Sequence, residues 1–404
     1  MATRRDFLLG AVTGAAGSVA AYTASSLINP SDSFPAPTST QAASSLPKNS
    51  TVPALGVHQS GIEMHVQGFT KLIALNLKPT TTLESMSGFL NLIADDIDRL
   101  TQAQPALADP QPEISQRKSN LTIAVGFGVE LFEKLGIQDK APESFKALPS
   151  FGVDQLEERY SGGDMVLHLC GDDQLVLEHV TRILVRDSDF FASVKFIQSG
   201  FSSIDEDSPL RSQRNLMGQI DGTKNPEFGS ENFQETVWAD SGPEWYQGGT
   251  MMVFRRIRMN LETWDAMDES GKEEVIGRKL SNGAPLGGES ETDFVNLDAR
   301  WPSGLKMIPD SAHIARAASA ENGFTIFRRP FNFHNGFDEI GKTDAGLLWF
   351  AYAKDAHAQY VPIQTVLDQM DHLNQWTTPV GSGLYIFPKG RNDSTEPIAK
   401  GLFA

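Results

Sequence analysis

Between Leu83 and Leu100, apolar side chains recur at steps of three and four, at Leu83, Met86, Leu90, Ile93, Ile97 and Leu100. That spacing gathers them on one face of a helix, and Thr81-Thr82-Leu83-Glu84 supplies a capping box at its start. A second amphipathic helix is predicted from Asp172 or Asp173 to Arg186, burying Val176, Val180, Ile183 and Leu184. Its aspartates lie at the positive end of the helix dipole, and Arg182 and Arg186 lie toward the negative end. Short apolar runs predict strands at His65–Leu77, Leu121–Phe127, Asp164–Cys170, Ser193–Ser199, Thr250–Met259, Gly323–Phe327, Ala345–Tyr352 and Gly383–Phe387. Shorter helices are expected to begin at Val129 and to run from Val361 to Met370. Strand–helix–strand order recurring between glycine- and proline-bearing loops predicts an α+β fold, with helices packed on sheets. In the strand at 250–259, Arg256 and Arg258 are two apart, so they share a face and predict a local basic patch.

The termini and the composition narrow the class. Thr3-Arg4-Arg5-Asp6-Phe7-Leu8 followed by small and apolar residues to Ala21 reads as a twin-arginine export leader over residues 1–28. The apolar run is too short and too rich in small residues for a comfortable permanent span, which needs roughly 20 strongly apolar positions. Retention as an uncleaved membrane tether is the alternative. Residues 29–55 are rich in Ser, Pro, Ala and Thr and read as a linker. The remainder is long enough for two domains, expected at 56–210 and 211–404, with the boundary in the polar stretch Ser202–Arg214. A formal charge of −17 supplies no bulk basic surface and argues against nucleic acid as a partner. Cys170 is the only cysteine, which excludes an intrachain disulfide and a cysteine-held zinc or iron–sulfur centre.

Candidate chemistry falls in the second half. Gly218-Gln219-Ile220-Asp221-Gly222-Thr223-Lys224-Asn225-Pro226 is a tight turn in which two glycines free the backbone around one carboxylate. On its own it reads as an ordinary turn. His313, among small residues, is either a hydrogen-bonded structural imidazole or an axial ligand for haem iron. Phe327-Arg328-Arg329-Pro330-Phe331-Asn332-Phe333 is either an edge strand with solvated arginines or an arginine held rigid by aromatics where charge develops.

A resemblance decides among these readings. From about Gly56 to Phe387 the chain resembles the dye-decolourising (DyP-type) haem peroxidases, a family that also includes the exported deferrochelatases. The strongest signature is Arg214-Asn215-Leu216-Met217 leading into Gly218-x-x-Asp221-Gly222, continued by Thr223 and Asn225. Gly56-Val57-His58-Gln59, Val125-Gly126-Phe127-Gly128, Ser161-Gly162-Gly163-Asp164, Arg255-Arg256-Ile257-Arg258 and Ile276-Gly277-Arg278 support it. The resemblance implies two ferredoxin-like domains with a haem b pocket in the C-terminal one. It implies Asp221 as the distal acid, Arg328 as the distal arginine, His313 as the proximal iron ligand, and Gly222, Thr223 and Lys224 along the haem. Asp371 corresponds to the acid behind the proximal histidine. The family's Asn-Pro-Arg step after that histidine is absent here, where Ile314-Ala315-Arg316-Ala317-Ala318-Ser319 stands, so propionate contacts shift to Arg316 or elsewhere. Pro330-Phe331 replaces the usual Gly-Tyr after the arginine pair.

The implied activity is reduction of hydrogen peroxide with one-electron oxidation of organic donors such as dyes or phenolics, with an acidic optimum. The alternative is a periplasmic haem- or iron-handling role of the deferrochelatase kind. Expected partners are hydrogen peroxide, an organic electron donor, the twin-arginine export machinery, iron-transport components and a second copy of the chain in a homodimer. The expected location is the periplasm or the extracellular space. Tryptophans and tyrosines of the second half, among them Trp264, Trp349, Trp376, Tyr352 and Tyr360, are candidate electron relays that sequence does not rank.

Overall fold

The computed structural model describes residues 49–203, 212–320, 325–338 and 340–403. The export leader, most of the linker, the boundary near residue 210 and part of the strand expected at 323–327 lie outside the described residues. The apolar runs of the first half form β1 (Phe69–Leu77), β2 (Thr122–Gly128), β3 (Met165–Gly171) and β4 (Ala192–Phe201). The second half contributes short strands β5 (Gln213–Arg214) and β6 (Ile220–Asp221), then β7 (Thr250–Met259), β8 (Phe327–Arg328), β9 (Phe331–Phe337), β10 (Thr343–Ala353) and β11 (Thr377–Phe387). Between them run α1 (Leu83–Leu100), α2 (Pro112–Ser115), α3 (Val129–Leu135), α4 (Gln174–Ser188), α5 (Glu231–Val237), α6 (Leu261–Asp265), α7 (Glu269–Ile276), α8 (His313–Ala320) and α9 (Ala356–Met370).

The expected separate sheets are joined into one. Antiparallel pairing runs β7-β11-β2-β3-β1-β4-β9-β10, and β10 pairs back onto β7, so the sheet closes as a barrel and presents no long free edge along that circuit. The halves meet along thin seams: two pairs between β2 and β11 (Phe127 with Ile386, Gly128 with Tyr385) and the single pair Phe201–Asn332 between β4 and β9. Strand β8 continues the line of β9 after a break at Pro330, which has no N–H to give to β10.

Alternation along the strands sorts side chains into compartments. One face encloses an aromatic interior that includes Phe254, Phe331, Phe333, Phe350, Tyr352, Tyr385 and Phe387. Phe254 and Phe350 face one another across β7 and β10 with ring centroids 5.4 Å apart, the kind of filled position where truncation to Ala costs about 3–5 kcal/mol. The other face of the first half packs under α1 and α4 through Ile73, Leu75, Leu167 and Leu169. The other face of β7 and β10 carries Arg255, Ile257, Met259, Leu347 and Trp349, and these line a cavity instead.

The basic patch expected from Arg256 and Arg258 is neutralised. Arg256 is wholly buried between the rings of Tyr160 and Phe333 and gives Nη2 to both oxygens of Asp344, at 2.9 and 2.7 Å; Arg258 Nε donates to the same carboxylate at 3.3 Å. A buried guanidinium needs such a partner to offset its desolvation.

Candidate active site

A cavity of about 430 Å³ lies between the outer face of β7, β10 and β11, the helices α8 and α9, and the turn after β6. Its size falls within the roughly 300–1,000 Å³ usual for cofactor pockets. Ile257, Met259, Ile276, Leu347, Ile363 and Leu373 give it apolar walls, and the polar groups at its surface include Asp221, Arg328, His313 and Asp371. Four residues separated by up to 150 positions in the chain therefore converge on one space.

His313 is the first residue of α8. The preceding helix α7 ends at Gly277 with φ 88°, a left-handed C-cap, and a Cβ there would lie 2.6 Å from Ile314 Cγ1. Glycine thus both turns the chain and lets α8 approach. Behind the imidazole stands Asp371, at the junction of α9 and a 3₁₀ turn. Its Oδ1 accepts from the Leu373 N–H at 2.9 Å, and its Oδ2 accepts from His313 Nδ1–H at 2.5 Å. Because a carboxylate only accepts, the shared proton belongs to Nδ1, and in the neutral ring Nε2 then keeps its lone pair. Burial alone would lower the His313 pKa; the charge and hydrogen bond of Asp371, aided by Asp221 and opposed by Arg328, carry it above the ordinary value. About a third of the His313 side chain remains open, onto the cavity.

Asp221 ends β6, and the turn continues through Gly222 at φ 101° to Asn225, whose N–H returns to Gly222 O at 2.8 Å. Asn225 then fastens the distant strand β8: its Oδ1 accepts the Arg328 N–H at 3.0 Å and Nε–H at 3.4 Å, and its Nδ2 donates to Arg328 O at 2.8 Å. Arg328 Nε consequently stands 3.8 Å from Asp221 Oδ1, an attractive contact beyond hydrogen-bond length that leaves both groups able to bond a ligand. Thr223 Oγ1 donates to Glu291 Oε1 at 2.9 Å, a buried carboxylate that also accepts from Ser212 Oγ at 2.7 Å. Arg278 donates to the carbonyls of Gly283 and Glu291, and burial, ahead of the opposing pull of Glu291, lowers its pKa.

No cluster of three or more His, Cys, Asp or Glu able to cage a bare ion occurs among the described residues. One imidazole, backed by a carboxylate and opening on an apolar chamber, suits a metal that brings its own equatorial ligands; the residues present fit haem.

Comparison with known proteins follows the same line. The Dyp-type peroxidase N-terminal family profile matches residues 59–202 and the C-terminal profile residues 212–392. A dye-decolorizing peroxidase from Thermobifida fusca (strain YX) is 34% identical over 96% of this chain and 95% of its own length. The chain belongs to the DyP-type peroxidase family. A crystal structure of a DyP-type peroxidase from Cellulomonas bogoriensis, 38% identical, superposes with a TM-score of 0.83 over 88% of this chain and 98% of that one. Ferric DtpA from Streptomyces lividans is 33% identical, with a TM-score of 0.83 over 88% and 97%. The deferrochelatase of Escherichia coli (strain K12) is 27% identical over 88% of each chain.

In this DyP-type peroxidase Gly222, Thr223 and Lys224 line the cavity with the residues already named, Lys224 being exposed. Arg316 does not line it; its Nη2 donates to Val366 O on α9 at 3.3 Å. Arg255 does line it, held by Asp154 and by Ser382 Oγ at 3.0 Å. Sequence reasoning named Asn225 only as part of a motif and passed over Glu291. The clamp on Arg328 spans 103 positions and leaves no local signal, whereas Glu291 sits in a polar stretch with nothing to mark it as buried.

Proposed function

We propose that this haem-dependent DyP-type peroxidase holds haem b through His313 Nε2 and uses Asp221 and Arg328 to cleave hydrogen peroxide while organic donors such as dyes or phenolics are oxidised one electron at a time. The observation that carries this reading is the His313–Asp371 pair opening onto the same apolar cavity as the Asp221–Arg328 pair. Haem, when bound, supplies the iron that takes up the peroxide oxygen and the redox equivalents. The protein does the rest. Asp371 holds the proton of His313 on Nδ1 and orients the ring, which keeps Nε2 free to ligate and raises its basicity. Asp221 accepts a proton from the near peroxide oxygen and returns it to the far one. Arg328, fixed by Asn225 before substrate arrives, stabilises the charge that develops on the departing oxygen. Gly222 and Thr223 form the wall beside it, and Arg255 stands in the same chamber as a cation for a haem propionate, the place that Arg316 does not take.

The decisive experiment is an absorption spectrum of the protein purified with haem. His313→Ala is expected to lose or greatly weaken the Soret band; full haem retention in that variant would overturn the assignment.

The thin seams between the strand sets support reading the halves as two ferredoxin-like domains, divided near residue 210, with the haem site in the second. The arginine pair at positions 4 and 5 supports export of the folded protein by the twin-arginine route to the periplasm or beyond. A strain lacking that translocase is expected to retain it inside. The 27% identity to deferrochelatases favours haem or iron handling as a second role, tested by release of iron from haem with the porphyrin intact.

A further inference from the structure

Among the described residues three arginines line the cavity, and two of them have a carboxylate close by. Arg255 pairs with Asp154, and Arg328 stands 3.8 Å from Asp221. Arg278 differs. Its Nη1 donates to the carbonyls of Gly283, at 2.7 Å, and Glu291, at 3.0 Å, which fixes the plane of the guanidinium. Its Nε and Nη2 have no partner among the described residues, and neither is sealed inside the protein as the unpartnered Nε of Arg329 is. Arg278 is only 7% exposed and lines the cavity, so these N–H groups open into it. The Glu291 carboxylate is taken up by Thr223 and Ser212 and acts on Arg278 only from a distance. A desolvated cation left in that state is costly unless a ligand supplies the missing negative charge.

The place of Arg278 in the wall identifies that ligand. Gly277, the residue before it, makes the close approach to Ile314, next to His313. Gly283, whose carbonyl it holds, packs on Ile220, next to Asp221: a Cβ built at Gly283 would lie 3.0 Å from Ile220 Cδ1. Arg278 therefore stands between the His313 side of the cavity and the Asp221 side. A haem ligated by His313 on one face and open to peroxide on the other brings its rim to this wall. The only anionic groups on that rim are the two propionates.

We propose that Arg278 anchors a haem propionate through Nε–H and Nη2–H. This rests on the haem-peroxidase reading and goes beyond it, since Arg255, already paired with Asp154, is left to serve the other propionate. The edge of a guanidinium that carries Nε and Nη2 presents two parallel N–H groups, and a carboxylate accepts such a pair with both oxygens. With Nη1 already held by carbonyls, that edge is the one Arg278 has free. The anchor also shares its support with the opposite side of the site. Glu291 receives Arg278 on its backbone carbonyl and Thr223, of the turn after Asp221, on its carboxylate. Seating of the cofactor rim and placement of the distal acid thus depend on one residue.

The test compares haem with its dimethyl ester, in which both propionates are neutral, by equilibrium transfer from the loaded full-length protein to one competing apoprotein. The unsubstituted protein is expected to favour haem over the ester. Arg278→Gln is expected to lose about 10–100-fold of that preference, the worth of hydrogen bonds to a charged group, with affinity for the ester nearly unchanged. An equal loss for both ligands would mean that Arg278 only supports the fold, and an undiminished preference would mean that it touches no propionate; either overturns the anchor. Arg278→Lys keeps the charge without the paired N–H groups and is expected to fall between the two. Should Arg278→Gln not fold, a Lys variant with the full preference of the parent overturns the assignment. Resonance Raman spectra of the haem-loaded proteins are expected to show the propionate-bending band moved in Arg278→Gln and the iron–histidine stretch in place. If the unsubstituted protein takes up neither haem nor ester, the haem reading falls with the anchor. Haem uptake that depends on His313 and not on Arg278 sinks the anchor alone.

Discussion

At the residue scale, the 3.8 Å between Arg328 Nε and Asp221 Oδ1 leaves both groups able to bond a ligand, whereas a direct hydrogen bond between them would occupy atoms that the proposed peroxide chemistry needs. Asp221→Asn removes the proton acceptor without changing shape, and stopped-flow absorption is expected to show haem bound but its reaction with peroxide slowed by about 10²–10⁴-fold. Asn225→Ala leaves both charged groups in place and frees Arg328, so the same measurement should report a loss of up to about 10²-fold. A rate equal to the unsubstituted protein would show that Arg328 needs no clamp. On the other side of the site, Asp371→Asn keeps a hydrogen-bond acceptor and removes the charge behind His313. Haem transfer to a competing apoprotein is expected to show affinity lower by about 10–100-fold. That Asp221, His313 and Arg328 belong together was legible from a short motif and two isolated side chains that resemble a family pattern, and all three line one cavity. Of what they touch, only Asp371 behind His313 was expected, through the resemblance; the Asn225 clamp on Arg328 and the Glu291 contact of Thr223 join segments far apart in sequence and were not legible.

At the element scale, legibility followed the strength of the pattern. The helix expected at 83–100 is α1 residue for residue, and the strand expected at 250–259 is β7, because each buries one regular face. Helix α8, which carries His313, went unread: Ile314-Ala315-Arg316-Ala317-Ala318 favours helix by composition, but its small side chains make no strong apolar stripe. Closure of the sheet was also unread, because seams of two pairs and one pair leave no periodic trace. The position of α8 depends on Gly277. Gly277→Ala adds a left-handed strain of about 1–2 kcal/mol to a 2.6 Å approach on Ile314 Cγ1. Gly136, the left-handed cap of α3 at φ 67°, has nothing within 4 Å of a built Cβ, so Gly136→Ala suffers the strain alone. Denaturant titration should find Gly277→Ala the more destabilised of the two, and haem loss should be faster in that variant only. Equal haem retention in both would mean that α8 does not depend on this close approach.

At the scale of the whole molecule, the first half lends Val153 to the cavity wall, and its α1–α4 contact is expected to contribute to how stability responds to pH. Asp96 of α1 is 2% exposed, and its Oδ2 has no hydrogen-bond partner. Burial, then the charge and hydrogen bond of Asp187 on α4, raise its pKa from 3.8 to about 7. Between those values the folded chain holds a proton that the unfolded chain has released. Unfolding therefore releases protons there, and stability falls as pH rises through the window, with little further change from this group below or above it. Asp96→Asn supplies a permanently neutral side chain. It is expected to flatten the fall between about pH 4 and 7 and to raise stability at pH 7.5 by about 1 kcal/mol. Urea midpoints at pH 4.5 and 7.5 for the two proteins measure it. A variant less stable than the parent at pH 7.5, with an unchanged slope, would mean that Asp96 is charged in the fold and satisfied by a partner. The expected gain would also fit the sequence pattern, since Asp96 lies on the face that α1 buries beside Ile93 and Ile97, where an ionised carboxylate is out of place.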